Sequence, residues 1–126
     1  MVSRNLLRIS VLLAIIGIAL QIGTGTQSDS VLAPALAHLN LYGFVALFLA
    51  GLYYRLVPQA ALTRLAKLQA WLAVLGAIVF PIGTAAVAIG YADRFQPVAT
   101  AGAFLVLAGM FLLAIVVFRH SRARAD

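Results

Sequence analysis

The chain has 126 residues, of which 64% are hydrophobic and 10% are charged, and its formal net charge is +6. Soluble domains are about 45–50% apolar and about 25% charged, so this composition excludes an ordinary water-soluble domain and predicts one membrane domain. Cysteine is absent, which excludes disulfides, thiolate metal sites and c-type haem attachment.

Four apolar runs without a charged residue predict four membrane-spanning helices in a single domain, 1–126. A span needs about 20 residues at 1.5 Å each to cross about 30 Å of hydrocarbon. The first run is short but can span with tilt or bilayer thinning. A signal peptide is its alternative; a retained helix is favoured because the run is long for a signal core and no clear cleavage site follows. The runs are 6–22, 34–54, 70–89 and 98–118.

The segments between the runs are short and contain residues that begin or end helices. Pro34 suits the first turn of the second helix, and Pro58 ends that helix. Gln59–Leu68 is amphipathic and is predicted to lie along the membrane surface, while Pro81 predicts a kink in the third helix. Short connections favour antiparallel neighbours. The predicted fold class is therefore all-α, an up-down-up-down bundle of four transmembrane helices.

Eight of the nine basic residues lie on one side of this predicted bundle, and Arg94 is the exception. The positive-inside rule then places both termini of this multi-pass membrane protein in the cytoplasm. We interpret the basic surplus as a signal for topology and for contact with anionic membrane lipid, rather than for nucleic acid. The eight residues are Arg4, Arg8, Arg55, Arg64, Lys67, Arg119, Arg122 and Arg124.

The second run contains His38 and Asn40, and polar groups inside a span are functional candidates because they are costly in hydrocarbon. At 1.5 Å per residue, His38 lies about 6 Å below the outer end of its run. Thr84 lies at a similar depth, and Gln21 and Thr100 belong to the same side. The sequence therefore predicts a polar layer in the outer leaflet, above an inner half that is almost purely apolar.

His38 shares a helix face with Tyr42, Val45 and Leu49, whereas Asn40 lies about 200° around the helix. Both polar groups cannot point into the centre of one bundle, so one of them meets a neighbouring helix or another subunit. His38 either ties helices together by a hydrogen bond to Thr84, Gln21 or a backbone carbonyl, or acts as a haem or metal ligand, or hydrogen-bonds a quinone headgroup. His120 reads as a solvated tail residue, and three aromatic residues read as interfacial: Tyr53, Tyr54 and Trp71.

The second run contains Ala37-His38-Leu39-Asn40-Leu41-Tyr42-Gly43-Phe44 and ends in Gly51-Leu52-Tyr53-Tyr54-Arg55-Leu56-Val57-Pro58; the third contains Trp71-Leu72 and Leu75-Gly76. These segments resemble a group of small four-helix bacterial membrane proteins related to subunit I of the haem–copper oxidases and nitric-oxide reductases. The resemblance implies a four-helix membrane fold and a connection to respiratory electron transfer.

That group carries His-Ala-His-Leu-Asn in its second helix and His-Phe-Trp-Leu-His-Asn in its third. Where the group has four histidines, this chain has Leu36, His38, Gln69 and Ala73. Gln69 and Ala73 also lie about 20 Å from the level of His38. Several imidazoles from one chain therefore cannot form a site. One histidine could still bind haem with an open sixth position, or two protomers could supply one axial ligand each.

Three functions follow from these features. The first is a small non-catalytic integral membrane subunit or accessory protein of a larger respiratory or electron-transfer complex, with other transmembrane subunits or a second copy as partners. The second is a haem-binding electron-transfer or gas-sensing protein, with His38 as axial ligand and Asn40 or Tyr42 near the pocket. The third is a quinone or lipid site in the outer leaflet, formed by His38, Tyr42, Thr84 and Gln21. Hydrolytic catalysis is disfavoured, because no carboxylate lies inside a span.

Overall fold

The computed structural model describes residues 1–24 and 31–122 of the chain, and no strand occurs among them. Four of its helices are long and apolar enough to cross a membrane, which confirms the predicted number of spans. The predicted loop residues 25–30 and Arg124 lie outside the described residues. The helices are α1 (Val2–Gly23), α2 (Ala33–Leu56), the short α3 (Pro58–Ala61), α4 (Arg64–Ala88) and α5 (Ala92–Arg122).

The connection between α2 and α4 differs from the prediction. Val57 leaves the helical region (φ −124°, ψ 73°) because it precedes Pro58. The Thr63 hydroxyl then accepts a hydrogen bond from the Ala66 N–H at 3.1 Å, and this cap begins α4 at Arg64. Gln59–Leu68, which was predicted to be one segment along the membrane surface, is therefore divided between two helices. Its first part belongs to α3, and its second half begins the long helix α4. α4 then continues through Pro81.

The middle of α2 is a π-helix, from Leu39 to Ala46. A π-helix closes i→i+5 hydrogen bonds and so holds more residues per turn than an α-helix. The interior face of α2 accordingly recurs every fourth residue, whereas Val45 and Leu49, which the α-helical spacing placed on the face of His38, are exposed. Two rows of α2 at this spacing are turned inward. One consists of the partly buried His38, Tyr42 and Ala46, followed by the buried Ala50 and Tyr54; the other consists of the buried Leu39, Gly43, Leu47 and Gly51.

α4 and α5 form the closest pair of helices, and glycines let their backbones approach. A Cβ added at Gly102 would lie 2.5 Å from Phe80 Cα, and one added at Gly76 would lie 2.8 Å from Val106 N. Gly76 of α4 therefore meets Val106 of α5, and Phe80, one turn further along α4, meets Gly102, one turn nearer the start of α5. The two helices are antiparallel. α5 packs chiefly on α4, and its opposite side exposes Phe104 and Phe111.

α1 packs against α2 in the same antiparallel sense. Gly17 of α1 lies against Asn40, and Gly51 of α2 lies against Leu7. We call the end of the bundle at Gly23 and Ala33 the His38 end, and the opposite end the Tyr54 end. The buried apolar cluster draws on all the helices and is concentrated toward the Tyr54 end; it consists of Leu6, Leu47, Ala50, Tyr54, Ala60, Ala66, Ala77 and Val116.

Candidate functional site

The His38 ring lies at the contact between α2 and α4, where it is part of an aromatic stack. Its centroid is 4.5 Å from that of Phe80, with 29° between the ring planes, and 5.9 Å from that of Tyr42, with 21° between the planes. Both distances fall within the range of favourable ring contacts. The stack fixes the plane of the imidazole between two spanning helices.

The two nitrogens of His38 have different surroundings. Nδ1 is buried and has no hydrogen-bond partner among the described residues, which is uncommon because buried polar groups are nearly always paired. The ring as a whole is only partly buried and lines a groove, so Nε2 is the nitrogen that a ligand there can reach. An imidazole that carries its proton on Nε2 can donate from there into the groove, and Nδ1 is then an acceptor without a partner among the described residues.

Among the described residues, His38 makes none of the hydrogen bonds between helices that the sequence analysis offered for it. The Thr84 hydroxyl donates instead to the carbonyl oxygen of Phe80 at 2.7 Å, within its own helix. Such a bond satisfies the hydroxyl hydrogen and leaves lone pairs on Oγ1. Thr84 therefore lies beside the histidine as an acceptor that is still available.

His38, Thr84 and Phe80 line one groove, which we call the His38 groove, together with residues from the start of α5. Its volume is about 350 Å³, near the lower end of the range for small-molecule sites. α5 contributes Gln96 and Thr100, whose hydroxyl donates to the Gln96 carbonyl oxygen at 3.0 Å. The remaining walls are apolar: Val87, Ala99 and Ala103.

Gln96 was not predicted as a site residue, because the sequence placed it in a loop before the fourth run. The structure begins α5 at Ala92, so Gln96 and Thr100 lie one turn apart on the same helix face. The four-residue spacing of Gln96 and Thr100 indicates a shared helix face. It could be interpreted in this way only once the helix was known to start before the apolar run.

The other predicted site residues divide between two faces of α2. Tyr42 lies with His38 on the side of α4. Asn40 lies on the side of α1, where its Oδ1 would be 2.6 Å from a Cβ at Gly17. Gln21 is exposed on α1 and does not line the His38 groove. The prediction that His38 and Asn40 face different neighbours agrees with this arrangement, and the neighbours are two helices of the same chain.

A second polar contact, which the sequence analysis missed, lies toward the Tyr54 end. The Tyr54 hydroxyl donates to Oε1 of Gln69 at 3.0 Å, and both side chains are only 1% exposed. Tyr54 is therefore a core residue rather than an interfacial one. The sequence did contain a sign of this contact. Tyr54 and Gln69 are nearly the same number of residues from Leu62, in the turn between α2 and α4, and antiparallel helices bring such positions together.

Metal-ligating side chains do not gather at His38. Among the described residues, no group of three or more His, Cys, Asp or Glu side chains lies close enough to hold a metal ion. His120 is at the far end of α5, where its Nδ1 is 2.9 Å from the Val116 carbonyl oxygen, so it is a partly buried helix-end residue rather than a freely solvated one.

Comparison with known proteins does not assign the chain to a family. No family model, no curated protein and no solved structure matches this chain significantly. The resemblance to relatives of haem–copper oxidase subunit I therefore remains a prediction from helix two.

Proposed function

We propose that this chain is a small non-catalytic integral membrane subunit of a larger electron-transfer complex, and that it holds a quinone-type headgroup in the His38 groove. The observation that carries this proposal is the state of the imidazole. The ring lies in an aromatic stack, its buried Nδ1 has no partner among the described residues, and the ring lines the groove, where Nε2–H would be the donor.

A quinone headgroup suits these groups because it is a planar ring with hydrogen-bond acceptors at opposite edges. Nε2–H of His38 can donate to one carbonyl, and the Gln96 amide can donate to the other. In the reduced form of the headgroup, the hydroxyls can donate to Oγ1 of Thr84 or Thr100. Phe80 supplies an aromatic wall, and the apolar face of the bundle accommodates an isoprenoid tail.

Haem ligation at His38 is the second candidate, and it rests on the same accessible Nε2. A metal-ligating histidine normally donates its other N–H to a carboxylate, a carbonyl or water, whereas Nδ1 here has no acceptor among the described residues. A groove of about 350 Å³ also suits a single-ring headgroup better than a four-pyrrole macrocycle. Both observations favour the quinone.

His38→Phe tests the proposal, because phenylalanine keeps the aromatic stack and removes the donor. We expect wild-type protein, purified in mild detergent, to retain quinone in the organic extract. Its affinity for a short-chain quinone should fall about tenfold in the variant, the effect of losing about 1.4 kcal/mol of hydrogen bonding. Chromatographic quantification of the extracted quinone and a thermal-shift titration measure the two quantities.

His120→Phe is the matched control, since it removes the other histidine at the far end of α5. Quinone content and affinity should match the wild type. Equal binding by wild type and His38→Phe would contradict the headgroup proposal. A Soret band in the purified protein that disappears in His38→Phe would establish haem binding instead.

The up-down-up-down topology, with both termini in the cytoplasm of a bacterial inner membrane, is part of the proposal. The antiparallel contacts between successive spans support it, as does the charge distribution. Arg55, Arg64 and Lys67 lie at the Tyr54 end, which therefore faces the cytoplasm. The His38 groove then lies in the outer leaflet.

Single cysteines test this topology, because the chain contains no cysteine of its own. Gln59→Cys and Asp93→Cys replace exposed residues at opposite ends of the bundle, in α3 and in the first turn of α5. We expect a membrane-impermeant maleimide to label Asp93→Cys in intact spheroplasts, and Gln59→Cys only after the membrane is permeabilised. Labelling of both variants in intact spheroplasts, or the reverse pattern, would contradict the topology.

Partner subunits, or a second copy of the chain, would pack on the apolar faces that the bundle leaves open. The outward side of α5 supports this part of the proposal because Phe104, Phe111 and Phe118 are exposed there at seven-residue intervals. This is the spacing of one seam along a helix. Identification of the transmembrane proteins that co-purify in mild detergent tests it.

A further inference from the structure

A cleft separates the beginnings of α1 and α4 at the Tyr54 end, far from the His38 groove. Its volume is about 330 Å³. The deeper walls are apolar and include Leu6, Ile9 and Val74, while Asn5 and Lys67 stand at the polar edge. The Trp71 indole also lines the cleft and is 69% exposed. One cleft therefore combines a cationic edge with walls that continue along the apolar helix faces.

The charges around this cleft have one sign. Arg4 and Arg64 are exposed in the same first turns of α1 and α4. The chain has three acidic residues; Asp93 lies at the His38 end, and the other two, Asp29 and Asp126, fall outside the described residues. No carboxylate side chain among the described residues therefore neutralises Lys67.

We propose that this cleft binds an anionic phospholipid. Lys67 and Asn5 contact the phosphate and glycerol of the headgroup, and one acyl chain lies against Trp71 and Val74. Two observations select this occupant. Cations without neighbouring carboxylates attract an anionic headgroup, and apolar walls that lead from the polar edge toward the membrane interior suit a molecule with both a charged and a hydrocarbon part.

Trp71 can report on the occupant directly, because it is the only tryptophan in the chain. The full chain is reconstituted in phosphatidylcholine vesicles that contain a fixed fraction of phosphatidylglycerol, with bromine on the acyl chains of one lipid or the other. Bromine quenches indole fluorescence on contact. We expect brominated phosphatidylglycerol to occupy the position beside Trp71 about fivefold more often than its bulk fraction predicts, the ratio expected for one cationic contact.

Lys67→Gln should abolish the preference, and Lys67→Arg should keep it. Arg55→Gln is the matched control: it removes one exposed cation at the same end of the bundle, at a position that does not line the cleft. This control should keep the preference. Equal quenching by the two brominated lipids in the wild type would overturn the proposal. An equal loss of preference in Lys67→Gln and Arg55→Gln would also overturn it, because net charge alone would then explain the result.

Discussion

Gly102→Ala is expected to destabilise the protein by about 3 kcal/mol, the upper end of the usual range for overpacking. The added Cβ would lie 2.5 Å from Cα and 2.6 Å from N of Phe80. Both are backbone atoms, so no side chain can rotate away and α4 must move from α5. Spanning helices associate mainly through close packing, and α4–α5 is the most extensive contact in this fold. Thermal unfolding in detergent should show a clear decrease in Tm.

Gly23→Ala is the matched control for that substitution. Among the described residues, no atom other than those of its chain neighbours and its own helix backbone lies within 4 Å of a Cβ at Gly23, and the φ of Gly23 is not positive. Alanine should therefore leave Tm unchanged or raise it slightly, because it reduces the conformational freedom of the unfolded chain. An intermediate case is Gly17→Ala, where the nearest atom is Oδ1 of a side chain, Asn40, which can move. Equal Tm values for Gly102→Ala and Gly23→Ala would contradict the α4–α5 packing.

Gln69→Leu is expected to cost about 1–3 kcal/mol, because it leaves the buried Tyr54 hydroxyl without its acceptor. Leucine is similar in size to glutamine, so the loss of stability measures the unpaired hydroxyl rather than a large cavity. Tyr54→Phe should also destabilise the protein, because it leaves the buried Oε1 of Gln69 without its donor. The measurement is unfolding in mixed micelles, followed by the change in helix content.

The double variant Tyr54→Phe, Gln69→Leu completes a thermodynamic cycle. It should be more stable than the sum of the single effects predicts, by about 0.6–1.7 kcal/mol, the range measured for hydrogen bonds between membrane helices. Ser10→Ala is a useful comparison, because that buried hydroxyl donates within its own helix, to the Leu7 carbonyl oxygen at 2.8 Å. Strict additivity of the two single effects would contradict a Tyr54–Gln69 interaction.

The location of the polar residues was largely predictable, because depth in a spanning helix follows directly from residue number. His38 and Thr84 were expected at one level, and the structure brings both to the same groove. Gln96 was missed because the apolar run starts only at residue 98, after Gln96, whereas the helix itself begins at Ala92. Gln69 was missed for a related reason, since it stands one residue before the third apolar run.

The buried face of α2 could not be predicted from the sequence. An α-helical spacing groups His38 with Val45 and Leu49, but the π-helical segment Leu39–Ala46 turns both of those side chains outward. π-Helices are rare, so the α-helical spacing was the only one to expect from the sequence. The same holds for the role of Asn40, which depends on Gly17 of another helix.

The sequence by itself determined that this is a membrane protein with four spanning helices, because hydrophobicity and length act locally and are written in consecutive residues. It also determined the clustering of basic residues between and beyond the runs. Only the tertiary structure decided which glycines meet which backbones, that Tyr54 bonds Gln69, and that Nδ1 of His38 is left unpartnered. Those features depend on the rotation of each helix about its axis, which is determined by contacts between segments distant in the chain.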